Sequence, residues 1–131
     1  MLSQKEFETI GMSGCAFLSL LHALNITSAD KCLDIFRDGK AKGIIGEDCS
    51  ILDWNKLAKM ISGHTYITTK VDGKERPKTY SKDILIARYH NKRTNFYHFC
   101  DVTHELYDPL ENSVTVKEGY IESYRLLTFV N

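Results

Sequence analysis

The stretch GCAFLSLLHAL, residues 14–24, constrains the fold of this chain more than any other feature. Wound as a helix, it carries Ala16, Phe17, Leu18, Leu20, Leu21, Ala23 and Leu24 around most of its circumference. A helix that is apolar on all sides has to be enclosed by the rest of the chain. The run is far short of the ~20 residues that cross a bilayer, so it reads as core, and no membrane partner is expected. Ser13 is a good N-cap for it and Asn25 can end it. This assignment puts Cys15 in the first turn of a buried helix.

Two amphipathic helices follow. Thr27 or Ser28 caps one that runs through Arg37 with Cys32, Leu33, Ile35 and Phe36 as its apolar members, and Gly39 is read as its stop. After the loop AKGIIGEDCS, Asp53 caps another to about Ser62, with Trp54, Leu57, Ala58 and Ile61 facing inward and Gly63 closing it. The second half changes period. HTYITTKV, DILIARYH, NFYHFCDV, ELYDP, SVTV and YIESYRLLTFV read as strands separated by short polar turns, with Asp72-Gly73 supplying hairpin chemistry. Helices first and an antiparallel meander second imply an α+β fold, a single domain over residues 1–131, with the buried helix packed on the sheet.

Composition removes several classes of function. Lys and Arg total 17 against 17 Asp and Glu, so the chain has no charge excess to attract a phosphate backbone, and no nucleic-acid partner is expected. The N-terminal MLSQKEFETIG is mixed and acidic rather than a basic leader, which suggests a cytoplasmic protein. There cysteines stay reduced. Cys15, Cys32, Cys49 and Cys100 form no C-x-x-C pair, so neither a zinc ribbon nor a thioredoxin motif is present, and no metal or cofactor is expected.

The chemistry concentrates on three residues. At a helix start, unpaired N–H groups and the helix dipole favour an anion, so a Cys15 thiolate is stabilised there. His98, in NFYHFCDV, offers a base from a strand. Asp108, in YDP, sits one strand later and can orient the imidazole. A thiol, a base and an orienting carboxylate are the set that nucleophilic acyl chemistry needs. Each residue alone has a plainer reading: a lone apolar-helix Cys is usually core, a strand His usually structural, and Asp-Pro usually a turn. The other candidates are weaker. Cys32 lies on an apolar face. Cys49 has Glu47, Asp48 and Asp53 around it, which raises a thiol pKa. Cys100 shares a strand face with His98. His22 reads as a satisfied core residue, and Asp101 points to the face opposite His98.

At these residues the chain resembles the papain-like cysteine peptidase superfamily, nearest the compact bacterial branch related to bacteriocin-leader-processing domains. The matching pieces are SGCAFLSLLHAL, FYHFCDV and LYDPL. The branch has a glycine where Tyr97 stands and an asparagine where Tyr107 stands. The whole chain is also similar to a small bacterial and prophage family of no assigned activity, through ETIGMSGCAFLSLL, GEDCSILD and DPLENSVTVKEGYIESYRL. The first resemblance implies a papain-like fold and a thiol hydrolase acting on a peptide or protein substrate, with Cys15 as nucleophile, His98 as base and Asp108 as orienter. One departure stands out. Papain-like enzymes carry an oxyanion-donating Gln several residues before the nucleophile, whereas Gln4 is eleven residues upstream of Cys15. Thr9 or a backbone N–H is left to serve instead. That gap sustains a rival expectation, a catalytically weak or inactive binding module such as a phage or mobile-element accessory protein.

Overall fold

The computed structural model describes residues 2–131, apart from the side chains of Leu2, Ser3 and Met12. In chain order come α1 (Leu2–Ser13), α2 (Cys15–Ala23), α3 (Ala29–Ala41), α4 (Trp54–Ser62), β1 (Tyr66–Asp72), β2 (Ile84–Asn91), β3 (Phe96–Asp101), α5 (Val114–Glu118) and β4 (Tyr120–Phe129). The class is α+β, with helices packed on one four-stranded antiparallel sheet. None of these helices is long and apolar enough to cross a membrane.

The all-round apolar stretch is α2, and its enclosure is near complete. Phe17, Leu20 and Leu21 are buried in a core shared with Leu33 and Phe36 of α3, Leu57 and Ala58 of α4, and Ile84, Ile86 and Leu127 of the sheet. Each such side chain contributes roughly 1.5–3 kcal/mol through its removal from water. A smaller cluster of Leu85, Ala87, Cys100, Val102 and Tyr124 fills the opposite face of the sheet, under α5.

Several boundaries differ from the sequence reading, each for a physical reason. Ser13 does not cap α2; it ends α1, a helix that the mixed polarity of residues 2–13 conceals. Gly14 is the junction and makes no side-chain cap. Its N–H donates to the Ile10 carbonyl at 2.8 Å, and α1 is further held by a two-pronged bond from Arg37 of α3 to Glu6. A Cβ at position 14 would lie 2.4 Å from the Ile10 carbonyl oxygen and 3.1 Å from the Cys49 sulfur, so only glycine fits. Ser28 does cap α3, accepting from the Lys31 N–H. Gly39 does not stop that helix; it lies inside it because the Ile45 side chain occupies the space a Cβ would need. The cap by Asp53, which accepts from the Lys56 N–H at 3.0 Å, and the close at Gly63 (φ 79°) stand as read.

The sheet is not a meander. Its order is β1-β4-β2-β3. The Asp72-Gly73 turn does not fold β1 onto β2; the Gly73 N–H instead donates to the Glu122 carbonyl and prolongs the β1–β4 ladder. SVTV forms α5 rather than a strand. The chain turns there through Glu111 and Asn112, both at positive φ, and places Thr115 against the sheet. ELYDP contributes one bridge, Asp101 to Tyr107, on the outer edge of β3.

Candidate functional site

Edge strand β3 positions the site. Its neighbour on one side is β2; on the other it meets α2. The α2 residues Cys15, Ser19 and His22 recur at helical spacing and so share one face. All three meet β3. The Cys15 Sγ accepts from the Phe99 N–H at 3.5 Å, the Ser19 hydroxyl donates to the Phe99 carbonyl at 3.3 Å, and His22 Nδ1 is 2.7 Å from the Asp101 carboxylate.

His98 is buried, and its Nε2 lies 2.6 Å from Asp108 Oδ1. The imidazole also interacts with the thiols of Cys15 and Cys100. Asp108 is itself fixed, because its two oxygens accept from the Leu110 and Ser113 N–H groups at 2.9 and 3.0 Å. The structure thus brings the three residues singled out in the sequence to one place: a thiol at the first residue of α2, a strand imidazole beside it, and a carboxylate on the far side of the ring.

The electrostatics distinguish this thiol from the other three. Burial by itself raises the Cys15 thiol, but His98 and the Phe99 and Ala16 N–H groups outweigh it and hold the pKa below the ordinary thiol value. Burial likewise disfavours the charged form of His98, yet Cys100, Cys15 and Asp108 push it up to about 10. Asp108 is partly desolvated, but His98 and the two N–H donors keep its carboxyl below the usual range. All three directions favour the charged forms: thiolate, imidazolium and carboxylate support one another. Burial raises Cys32, Cys49 and Cys100 instead, Cys49 to about 12. Cys49 is wholly buried beneath Gly14, so burial outweighs the acidic neighbours that the sequence suggested as its main influence.

His98, Cys100 and Asp108 also offer ligand atoms within 4.8 Å of one another, the geometry of a possible cation site. A cation there would have to replace the His98–Asp108 hydrogen bond and ionise a thiol whose burial opposes it.

Neither of the side-chain oxyanion donors considered from sequence reaches the thiol. Gln4 lies along α1 and bonds Glu8, and the Thr9 hydroxyl donates to the Lys5 carbonyl within the same helix. The donors left are N–H groups of the first turn of α2, which a helix cannot pair internally.

The sequence reading also missed a second histidine–carboxylate pair. His22 is not a satisfied core residue; its side chain is 46% exposed, and its bond runs to buried Asp101. Asp101 does face away from His98 as expected, and it binds the Thr103 hydroxyl at 2.6 Å as well. The Tyr107 ring stacks on His22 at 3.7 Å, and its backbone bridges Asp101. The next residue is Asp108. One clamp therefore ties the helix carrying the thiol to the segment carrying the carboxylate. The spacing of Cys15, Ser19 and His22 on one helix face was the available signal.

The family model described as "Protein of unknown function, DUF261" matches residues 2–129. The chain belongs to the DUF261 family. No curated protein and no solved structure matches it. The site of this DUF261 protein therefore rests on its own geometry.

Proposed function

We propose that this DUF261 protein is a thiol hydrolase of papain-like type acting on peptide or protein substrates, with Cys15 as nucleophile, His98 as acid and base, and Asp108 as orienter. The observation that carries the reading is the buried His98, bonded at 2.6 Å to Asp108 through one ring nitrogen and interacting with the helix-start thiol. In the first step the Cys15 thiolate adds to the substrate carbonyl carbon. The C–N bond then breaks, the leaving nitrogen takes the proton from the His98 imidazolium, and a thioester remains. Neutral His98 next removes a proton from water, the hydroxide adds to the thioester carbonyl, and the C–S bond breaks to return the thiolate and release the acid. First-turn N–H groups of α2 are suited to the transient oxyanion, and one such donor is worth roughly two to three orders of magnitude in rate.

The test is cleavage of a mixed-sequence peptide library, read by mass spectrometry. The proposal requires new termini with wild-type protein and none with Cys15→Ala. A reactive Cys15 without any cleavage favours the second reading, a binding module on the same scaffold. The positions of Gln4 and Thr9 support that rival, since neither supplies a side-chain oxyanion donor.

A further inference from the structure

On the sheet face that carries Ile84, Ile86 and Leu127, these three residues are buried, whereas Arg88 and Arg125 are half-buried. Further along this face, β2 and β4 present Arg88 and Arg125, in register with Phe99 and Ile86 respectively. The Phe99 ring is near both cations. Its centroid is 5.9 Å from the Arg88 guanidinium carbon and 5.6 Å from that of Arg125, with Trp54 of α4 at 6.0 Å. The backbone N–H of the same Phe99 donates to Cys15 Sγ.

Charge pairing on this floor is unequal. Glu122 binds Arg88 at 3.1 Å and also accepts from the Ser123 hydroxyl. Arg125 donates to the Ser123 hydroxyl at 3.0 Å, and among the described residues no carboxylate forms an ion pair with it. Lys70 and Asp72, exposed on the β1 edge of the same face, offset each other in charge. Arg125 is half-buried, where a guanidinium without a counter-ion is poorly solvated and an incoming carboxylate forms a charge-assisted, two-pronged bond. A neutral side chain gains nothing comparable, and a lysine is repelled.

We infer that the substrate brought to Cys15 carries an Asp or Glu side chain close to the scissile bond, which Arg125 binds beside the Phe99 ring. This inference rests on the thiol hydrolase reading and adds the substrate class to it. Arg88, occupied by Glu122 and lying 3.8 Å over Tyr97, forms the wall of the subsite rather than its anchor.

The experiment uses peptidyl chloromethyl ketones of one length, in which the thiolate displaces chloride and a C–S bond marks the protein. Glu, Gln or Lys is placed in turn at each of the three residues before the ketone. The rate of Cys15 modification is measured by mass and divided by the rate with iodoacetamide for the same protein. At one position Glu is expected to react about tenfold faster than Gln, with Lys slowest, the factor that corresponds to ~1.4 kcal/mol. The preference should shrink in high salt and fall to within about twofold in Arg125→Gln. Arg125→Met serves if that variant does not fold, and the wild-type probe ratios decide the matter if neither does. Equal rates for Glu, Gln and Lys at every position, with iodoacetamide still selecting Cys15, overturn the acidic subsite alone. Iodoacetamide that shows no preference for Cys15 overturns the hydrolase reading with it.

Discussion

Replacing His98 with Gln removes the positive charge beside Cys15 while keeping most of the side-chain volume and an N–H donor for Asp108. In the wild type the thiol sits below its ordinary pKa because His98 and two N–H groups outweigh burial. Without the imidazolium the two N–H groups alone oppose burial, and the thiol pKa rises. A hydrogen bond to a charged group is worth about 1.5–3 kcal/mol, and 1.36 kcal/mol corresponds to one pH unit. The thiol pKa should therefore rise by about one to two pH units. At pH below the wild-type thiol pKa, thiolate falls about 10- to 100-fold, but a more basic thiolate is a better nucleophile, with a Brønsted slope of about 0.45. The net loss of iodoacetamide reactivity on that limb of the profile comes to about three- to twelvefold. Above both pKa values the order inverts and the variant reacts faster. The assay is the pH–rate profile of carbamidomethylation at Cys15, followed by peptide mass, with a melting curve to show that the variant is folded. Superimposable profiles would refute the reasoning, as would a wild-type profile that rises only at an ordinary thiol pKa.

Three more outcomes follow from the same geometry. His98 is raised from 6.5 to about 10, so the stability it supplies is complete below pH ~6.5 and is lost as pH climbs through ~10; the urea-midpoint difference between wild type and His98→Gln should narrow between pH 7 and 10.5. Gly14→Ala forces a methyl group against the Ile10 carbonyl and the Cys49 sulfur, and should cost about 1–3 kcal/mol in chemical denaturation; a loss too small to measure would mean that the α1–α2 junction yields easily. His22→Phe keeps a ring for Tyr107 to stack on but removes the His22 bond to the Oδ2 of buried Asp101, leaving Thr103 on Oδ1; it should cost about 1–3 kcal/mol and shift the NMR signal of the His98 Nε2 proton, whereas an unmoved signal would show that the clamp does not reach Asp108.

The parts of this molecule that follow from local chemistry were legible in its sequence. The apolar run around Phe17 and Leu20, the Asp53 cap and the period of β2, β3 and β4 each announce themselves within a dozen residues. Cys15 at a helix start and His98 on a strand were local assignments too, although Asp108, read at the end of a strand, lies just past a single bridge. What was hidden depends on partners distant in sequence. Gly39 looks like a helix stop until Ile45 is seen against it. Val114 and Val116 suggest a strand, but Glu111 and Asn112 turn the chain, and the segment packs as a helix against β2 and β3. His22 reads as core until Asp101, 79 residues on, is found beside it.

The sheet order has a consequence for when the site can exist. β4, which follows every other element in the chain, is not an outer strand but the one wedged between β1 and β2. A nascent polypeptide that has emerged only as far as α5 holds Cys15, His98 and Asp108 already, yet lacks the rib that joins its two halves. Pairings between residues so far apart in sequence are slow to form. Whatever chemistry the thiol performs therefore waits for β4 to be made, and chains stalled or clipped before it should leave Cys15 with the reactivity of an ordinary exposed cysteine.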